Sequence, residues 1–86
     1  MTSKFNQSDC KQILDKFRQE LEFAEDDTLI NALNEIEAEN KAYSDTDYKK
    51  ILDMLVLKLT NASAYIELLA LNSIMLDIFD MKKTYF

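Results

Sequence analysis

The chain contains no glycine, no proline, no histidine and no tryptophan, and its 86 residues include a single cysteine, Cys10. Average usage would supply roughly six glycines and four prolines to a chain of this length. Without glycine there is no phosphate-cradling loop of the nucleotide-binding kind and no tight hairpin turn. Without histidine there is no Cys–His dyad, no histidine-bearing triad and no Cys/His metal site. A lone cysteine cannot close an internal disulfide, which fits a reducing compartment.

No basic and then apolar leader opens the sequence. The longest largely apolar run, Leu68–Phe79, is 12 residues long and contains Asp77, whereas a membrane span needs about 20. We therefore expect a cytoplasmic chain with no membrane partner. Asn61-Ala62-Ser63 matches a glycosylation sequon, and without a leader it reads as chance.

What the chain does contain is helical periodicity. Hydrophobic residues are 48% and charged residues 30% of the sequence, a globular balance that suits one domain over residues 1–86. Period-two alternation is missing, so the expected class is all-α. Cys10, Ile13, Leu14, Phe17 and Leu21 make one face of a helix over residues 7–23. Asn6 with Asp9 supplies its capping box, and Phe5 and Cys10 occupy the staple positions. Glu25-Asp26-Asp27-Thr28 supplies the next cap. The second helix covers residues 28–41 with Leu29, Ala32, Leu33 and Ile36 on its face. A third covers 45–60, opened by a box at Ser44-Asp45-Thr46-Asp47 with Tyr43 and Tyr48 around it. Its face is Ile51, Leu52, Leu55, Val56 and Leu59, while Met54 and Leu57 point elsewhere.

Thr60-Asn61-Ala62-Ser63 is rich in residues that cap helices rather than fill them. A break there gives a fourth helix over 62–82 and a compact four-helix bundle. The alternative is one continuous helix from 45 to 81, about 55 Å long, with dimerisation. Residues 68–79, LLALNSIMLDIF, are apolar on nearly every side. A helix of that kind is buried, so the expected place for the last helix is the centre of the bundle. The competing reading gives one of its sides to a second chain. Asn72 suits both: it bonds a carbonyl in the core, or it pairs across an interface and sets register.

The net charge of −6 is concentrated. Residues 20–39 hold Glu20, Glu22, Glu25, Asp26, Asp27, Glu35, Glu37 and Glu39 and no base, and the rest of the chain holds eight acids and ten bases. Such a run is either a solvated face or a docking surface for a basic partner. It repels phosphate, so nucleic acid is not an expected ligand. Of the groups that do catalysis, only carboxylates remain. Glu22-Phe23-Ala24-Glu25 is an E-x-x-E, half of the magnesium site of all-α nucleotide pyrophosphatases. Its only counterpart, Asp77-Ile78-Phe79-Asp80, starts with the wrong acid and lies more than fifty residues away. We expect no enzyme and no cofactor. Cys10, on an apolar face, is expected to be a small buried hydrophobe.

Residues 28–60, with Leu33-Asn34-Glu35-Ile36-Glu37-Ala38-Glu39-Asn40 followed by an acid-capped leucine-rich helix, resemble the first two helices of the nuclease-colicin immunity proteins. The resemblance covers about a third of the chain. It implies an acidic four-helix protein that blocks a basic nuclease. The family's short Tyr-Tyr-Pro third helix has no counterpart here, and no site residue is carried over.

The expected function is therefore a non-enzymatic binding module that inhibits or neutralises a basic protein. Immunity proteins, antitoxins and phage-encoded inhibitors of host defence or transcription are of this kind. The partner would be a nuclease, a toxin or a nucleic-acid-binding protein. The candidate contact residues are Glu25, Asp26, Asp27, Glu35, Glu37 and Glu39. The alternative is an oligomerisation subunit, homodimeric for instance, or a small chaperone or adaptor. It would dock through an apolar surface that includes Met54, Leu57 and Asn72.

Overall fold

A computed structural model describes residues 5–40 and 46–84 of the chain. Among them lie four helices, α1 (Gln7–Phe23), α2 (Asp27–Glu39), α3 (Tyr48–Asn61) and α4 (Tyr65–Thr84), and no strand. Helix α1 starts where its capping box places it. The Asn6 side chain accepts from the Asp9 amide at 2.8 Å, and the Asp9 carboxylate accepts from the Asn6 amide at 3.0 Å. Phe5 and Cys10, on either side of that cap, are both buried. The whole expected face of α1 is buried: Cys10, Ile13, Leu14, Phe17 and Leu21.

The third helix starts later than the sequence suggests. Its cap is Asp47, whose carboxylate accepts from the Lys50 amide at 3.1 Å. The expected box members Ser44 and Asp45, with Tyr43, lie outside the described residues. The physical reason for the shift is tertiary. Gln7, forty residues away, donates from Nε2 to Asp47 Oδ1 at 3.1 Å. Its Oε1 accepts from the Tyr48 amide at 2.7 Å. The same Oε1 accepts from the Lys49 amide at 3.3 Å, so two orphan amides at the start of α3 are satisfied from the start of α1. The hydrogen bond from Gln7 and that from the Lys50 amide hold the Asp47 carboxyl below the usual carboxylate range.

The chain breaks at residues 60–63, and both helical hairpins turn in the same way. After α1, Ala24 is followed by Glu25 at φ 56°. The Glu25 amide bonds Glu22 O and the Asp26 amide bonds Leu21 O. After α3, Ala62 is followed by Ser63 at φ 55°. The Ser63 amide bonds Thr60 O and the Ala64 amide bonds Leu59 O. Each is a Schellman motif, a left-handed residue that satisfies the last carbonyls of the helix. Glycine usually takes that position, and this chain fills it with Glu25 and Ser63.

One buried cluster draws side chains from all four helices. Helices α1 and α3 each pack against every other helix, whereas α4 packs on α1 and α3 and at most grazes α2. The bundle is therefore a rhombus, with α1 and α3 on the short diagonal and α2 and α4 at the far corners. It measures 38 × 33 × 22 Å. This corrects the expectation of a central last helix. Among the α4 side chains described, those as far as Met81, only Leu71, Ile74 and Ile78 are buried, while Tyr65, Ile66, Leu69 and Leu76 are exposed. Asn72 is exposed as well and is no core amide. The alternative of one continuous helix from 45 to 81 is not formed, because α3 ends at the Schellman turn.

A left-handed backbone costs a residue with a Cβ about 1 kcal/mol or more, partly offset by the chain entropy glycine loses on folding. Glu25→Gly and Ser63→Gly are each expected to raise stability by roughly 0.5–1 kcal/mol, read as a higher denaturation midpoint with unchanged slope.

Candidate functional site

The six candidate acids do not share one surface. Glu25 stands in the α1–α2 turn. Asp26 spends its carboxylate on the Leu29 amide, 3.2 Å away, as the cap of α2. Asp27 is exposed in the first helical turn. Successive residues of a helix are 100° apart, so Glu35 and Glu39 stack on one side of α2 and Glu37 faces another. Glu37 reaches Arg18 of α1, with 2.7 Å between Oε1 and Nη2. Arg18 also donates to the Asn34 side chain. The charge of Glu37 is thus engaged inside the protein.

Glu35 and Glu39 overlook a groove of about 530 Å³ between α2 and α3. Ala32, Ile36 and Met54 form its floor, and Leu57, Lys58, Asn61 and Ala62 form the opposite wall. Leu57 is 59% exposed. Met54 is half-buried and held from the side by Asn40, whose Nδ2 lies 3.1 Å from Sδ and donates to Ile36 O at 2.8 Å. Neither Glu35 nor Glu39 forms an ion pair among the described residues. Two acids and one base, Lys58, therefore line an open apolar trough.

This arrangement reorganises the expected contact residues. Met54 and Leu57, assigned to an apolar interface, lie in the same groove as Glu35 and Glu39, assigned to an acidic one. Asn72 is elsewhere, beside a hollow of about 390 Å³ shared with Phe5, Met75, Leu76 and Phe79. The groove itself escapes a reading along the chain, because it is a pairing of two helices. The usable signal is Leu57, a leucine off the buried face of α3.

Other sites suggested by the sequence are dispersed. Helix α1 ends at Phe23 and Glu25 is left-handed, so the E-x-x-E stretch does not present both acids on one helix face. Among the described residues no group of three His, Cys, Asp or Glu side chains is placed to hold a metal ion. Cys10 is fully buried, and burial pushes its thiol above the ordinary range, which suits an inert packing residue. No described helix is long and apolar enough to cross a membrane.

No family model, curated protein or solved structure matches the chain. The likeness of residues 28–60 to immunity proteins therefore gains no support from these comparisons.

The geometry sorts the acids by their structural cost. Glu37→Lys replaces an ion pair with a repulsion against Arg18 and is expected to destabilise the fold by roughly 1 kcal/mol. Glu35→Lys and Glu39→Lys are expected to stay within about 0.5 kcal/mol of the parent, because each removes a like-charge neighbour one turn away. Urea denaturation of the three variants checks the order.

Proposed function

We propose that the chain is a non-enzymatic binding module that inhibits or neutralises a basic protein by holding an amphipathic segment of it in the α2–α3 groove. The observation that carries this reading is the juxtaposition of Glu35 and Glu39 with the exposed Leu57 and the half-buried Met54. Apolar side chains of the guest would fill the trough. Lys or Arg residues about one helical turn apart would meet the two glutamates, which are themselves one turn apart. Charge steers such an encounter, and the apolar floor retains the guest. Methionine suits a floor of this kind because its flexible side chain adapts to irregular shapes.

The acids at the end of α1 and in the first turn of α2 have a different part. They lie a helix length from Glu39 and add long-range attraction without lining the trough. Nucleases, toxins and other nucleic-acid-binding proteins supply suitable guests, since their phosphate-binding faces are basic. Nucleic acid itself is not a guest on this reading. The working compartment would be the cytoplasm, where a free thiol such as Cys10 stays reduced.

The test is affinity capture from a bacterial lysate at low and high salt. Four baits are compared: the parent, the Glu35→Lys/Glu39→Lys pair, Leu57→Asp, and the Glu25→Lys/Asp27→Lys pair. The expected result is one basic protein that the first two variants lose and the last retains at reduced yield. High salt should weaken the capture, as it does for steered charge contacts. Capture that ignores both the groove variants and salt would contradict this reading and transfer the activity to an apolar surface, as in an adaptor.

A further inference from the structure

The outward face of α4 is the least explained surface of the molecule. Tyr65, Ile66, Leu69 and Leu76 are 68%, 81%, 68% and 61% exposed. Large apolar side chains scattered singly over a surface need no explanation, but a contiguous row does. These lie on one helix, and they are in register. Tyr65, Leu69, Asn72, Leu76 and Phe79 follow one another at spacings of four, three, four and three, the seam of a helix that packs lengthwise on another helix. Asn72 is the middle member of that seam. The other exposed residues between Tyr65 and Leu76 are Ile66 and Ser73, so the exposed side chains of this stretch carry no charge; half-buried Glu67 lies on the inward side of the helix, and the exposed Asp77 and Asp80 follow the stretch.

We infer that α4 is a homodimer interface, in which α4 lies along α4 of a second copy about a twofold axis that brings the two Asn72 side chains together. Three observations favour a second copy over another occupant. The first is charge. A chain of net charge −6 repels its twin unless the two meet through a neutral face, and the outward face of α4 from Tyr65 to Leu76 is neutral. The second is placement. The acid-only stretch, residues 20–39, ends α1 and forms α2, and α2 occupies the corner of the rhombus opposite α4. Contact through α4 therefore keeps the two copies of α2 far apart and leaves both α2–α3 grooves open; of the acid-only stretch, Glu20 at the end of α1 is the residue that borders α4, beside Ile74 and Asp77.

The third observation is self-complementarity. An isologous contact requires one patch to fit itself. This face offers ridges, the exposed Leu69 and Leu76. It also offers a hollow of about 390 Å³ bordered by Phe5, Asn72, Met75, Leu76 and Phe79. An amide is self-complementary too, since its oxygen accepts while its nitrogen donates. The seam from Tyr65 to Phe79 of α4 makes a contact about 22 Å long. One helix face of that length falls below the roughly 800 Å² per partner of a standard stable interface. The dimer is accordingly reversible and depends on concentration.

This inference is independent of the groove. Sedimentation of the purified chain over a range of concentrations tests it directly. The expected result is a monomer–dimer equilibrium, with Leu69→Glu monomeric at every concentration while its helical circular dichroism is unchanged. Leu69 is exposed, so this variant should fold. Asn72→Leu should tighten the dimer at least tenfold, because a polar residue in a seam sets register at the expense of affinity. Asn72→Cys should form a disulfide-linked dimer on mild oxidation, whereas Asn31→Cys on α2 should not. The parent's own Cys10 is buried. A strictly monomeric parent overturns the proposal. So does a dimer that survives Leu69→Glu, or one whose affinity and cross-linking ignore residue 72.

Discussion

Everything in this molecule depends on the burial of α1 against α3. Ile13 and Phe17 of one helix and Ile51, Leu52, Leu55 and Leu59 of the other are sealed from water, together worth on the order of 10 kcal/mol of transfer free energy. The two helices are also tied at their starts, where Gln7 bonds the cap and the first amide of α3. Because these two form the short diagonal, α2 and α4 each rest on the pair from opposite sides. Each outer helix buries one face and leaves the other to solvent. That division places the protein's unusual surfaces: acid and a mixed groove on the α2 side, and a row of exposed apolar side chains, Tyr65, Ile66, Leu69 and Leu76, on the α4 side.

The same division explains how a glycine-free chain of 86 residues can turn tightly. Two hairpins, α1–α2 and α3–α4, close with the same Schellman geometry. The turns accept the cost of a left-handed Glu25 and Ser63 because the helices that follow are pinned by core contacts. Local strain of about a kcal/mol each is small against the burial it permits. The arrangement also leaves the hairpin ends without bulky loops, so both the groove and the outer face of α4 stay open.

Much of this was legible in the sequence, and the failures share a cause. The buried faces of α1, α2 and α3 could be read from three–four spacing, because those helices have one apolar stripe each. The cap of α1 was legible because it is local, with Asn6 and Asp9 bonding each other. The break near residue 61 was legible from residues that prefer caps. Helix α4 resisted the same logic. Its apolar arc is so wide that spacing does not say which side faces the core, and the expectation of a central helix followed from greasiness alone. The core reading of Asn72 fell with it, because Asn72 is exposed. The start of α3 and the groove both depend on residues from another helix: Gln7 selects Asp47, and Leu57 meets Glu35 and Glu39 only when α2 lies beside α3. Pairings between elements leave no period along the chain.

The most direct test of this account is native-state amide hydrogen exchange on a dilute solution, residue by residue. If α1 and α3 form the central pair, amides of Ile13–Phe17 and Ile51–Leu59 should exchange only through global unfolding and share the highest protection. Those of α2 and α4 should exchange through smaller openings at lower free energy. If the most protected amides of the chain instead belong to α4, the last helix is the centre of the bundle. In that event both the rhombus and the surfaces derived from it are wrong.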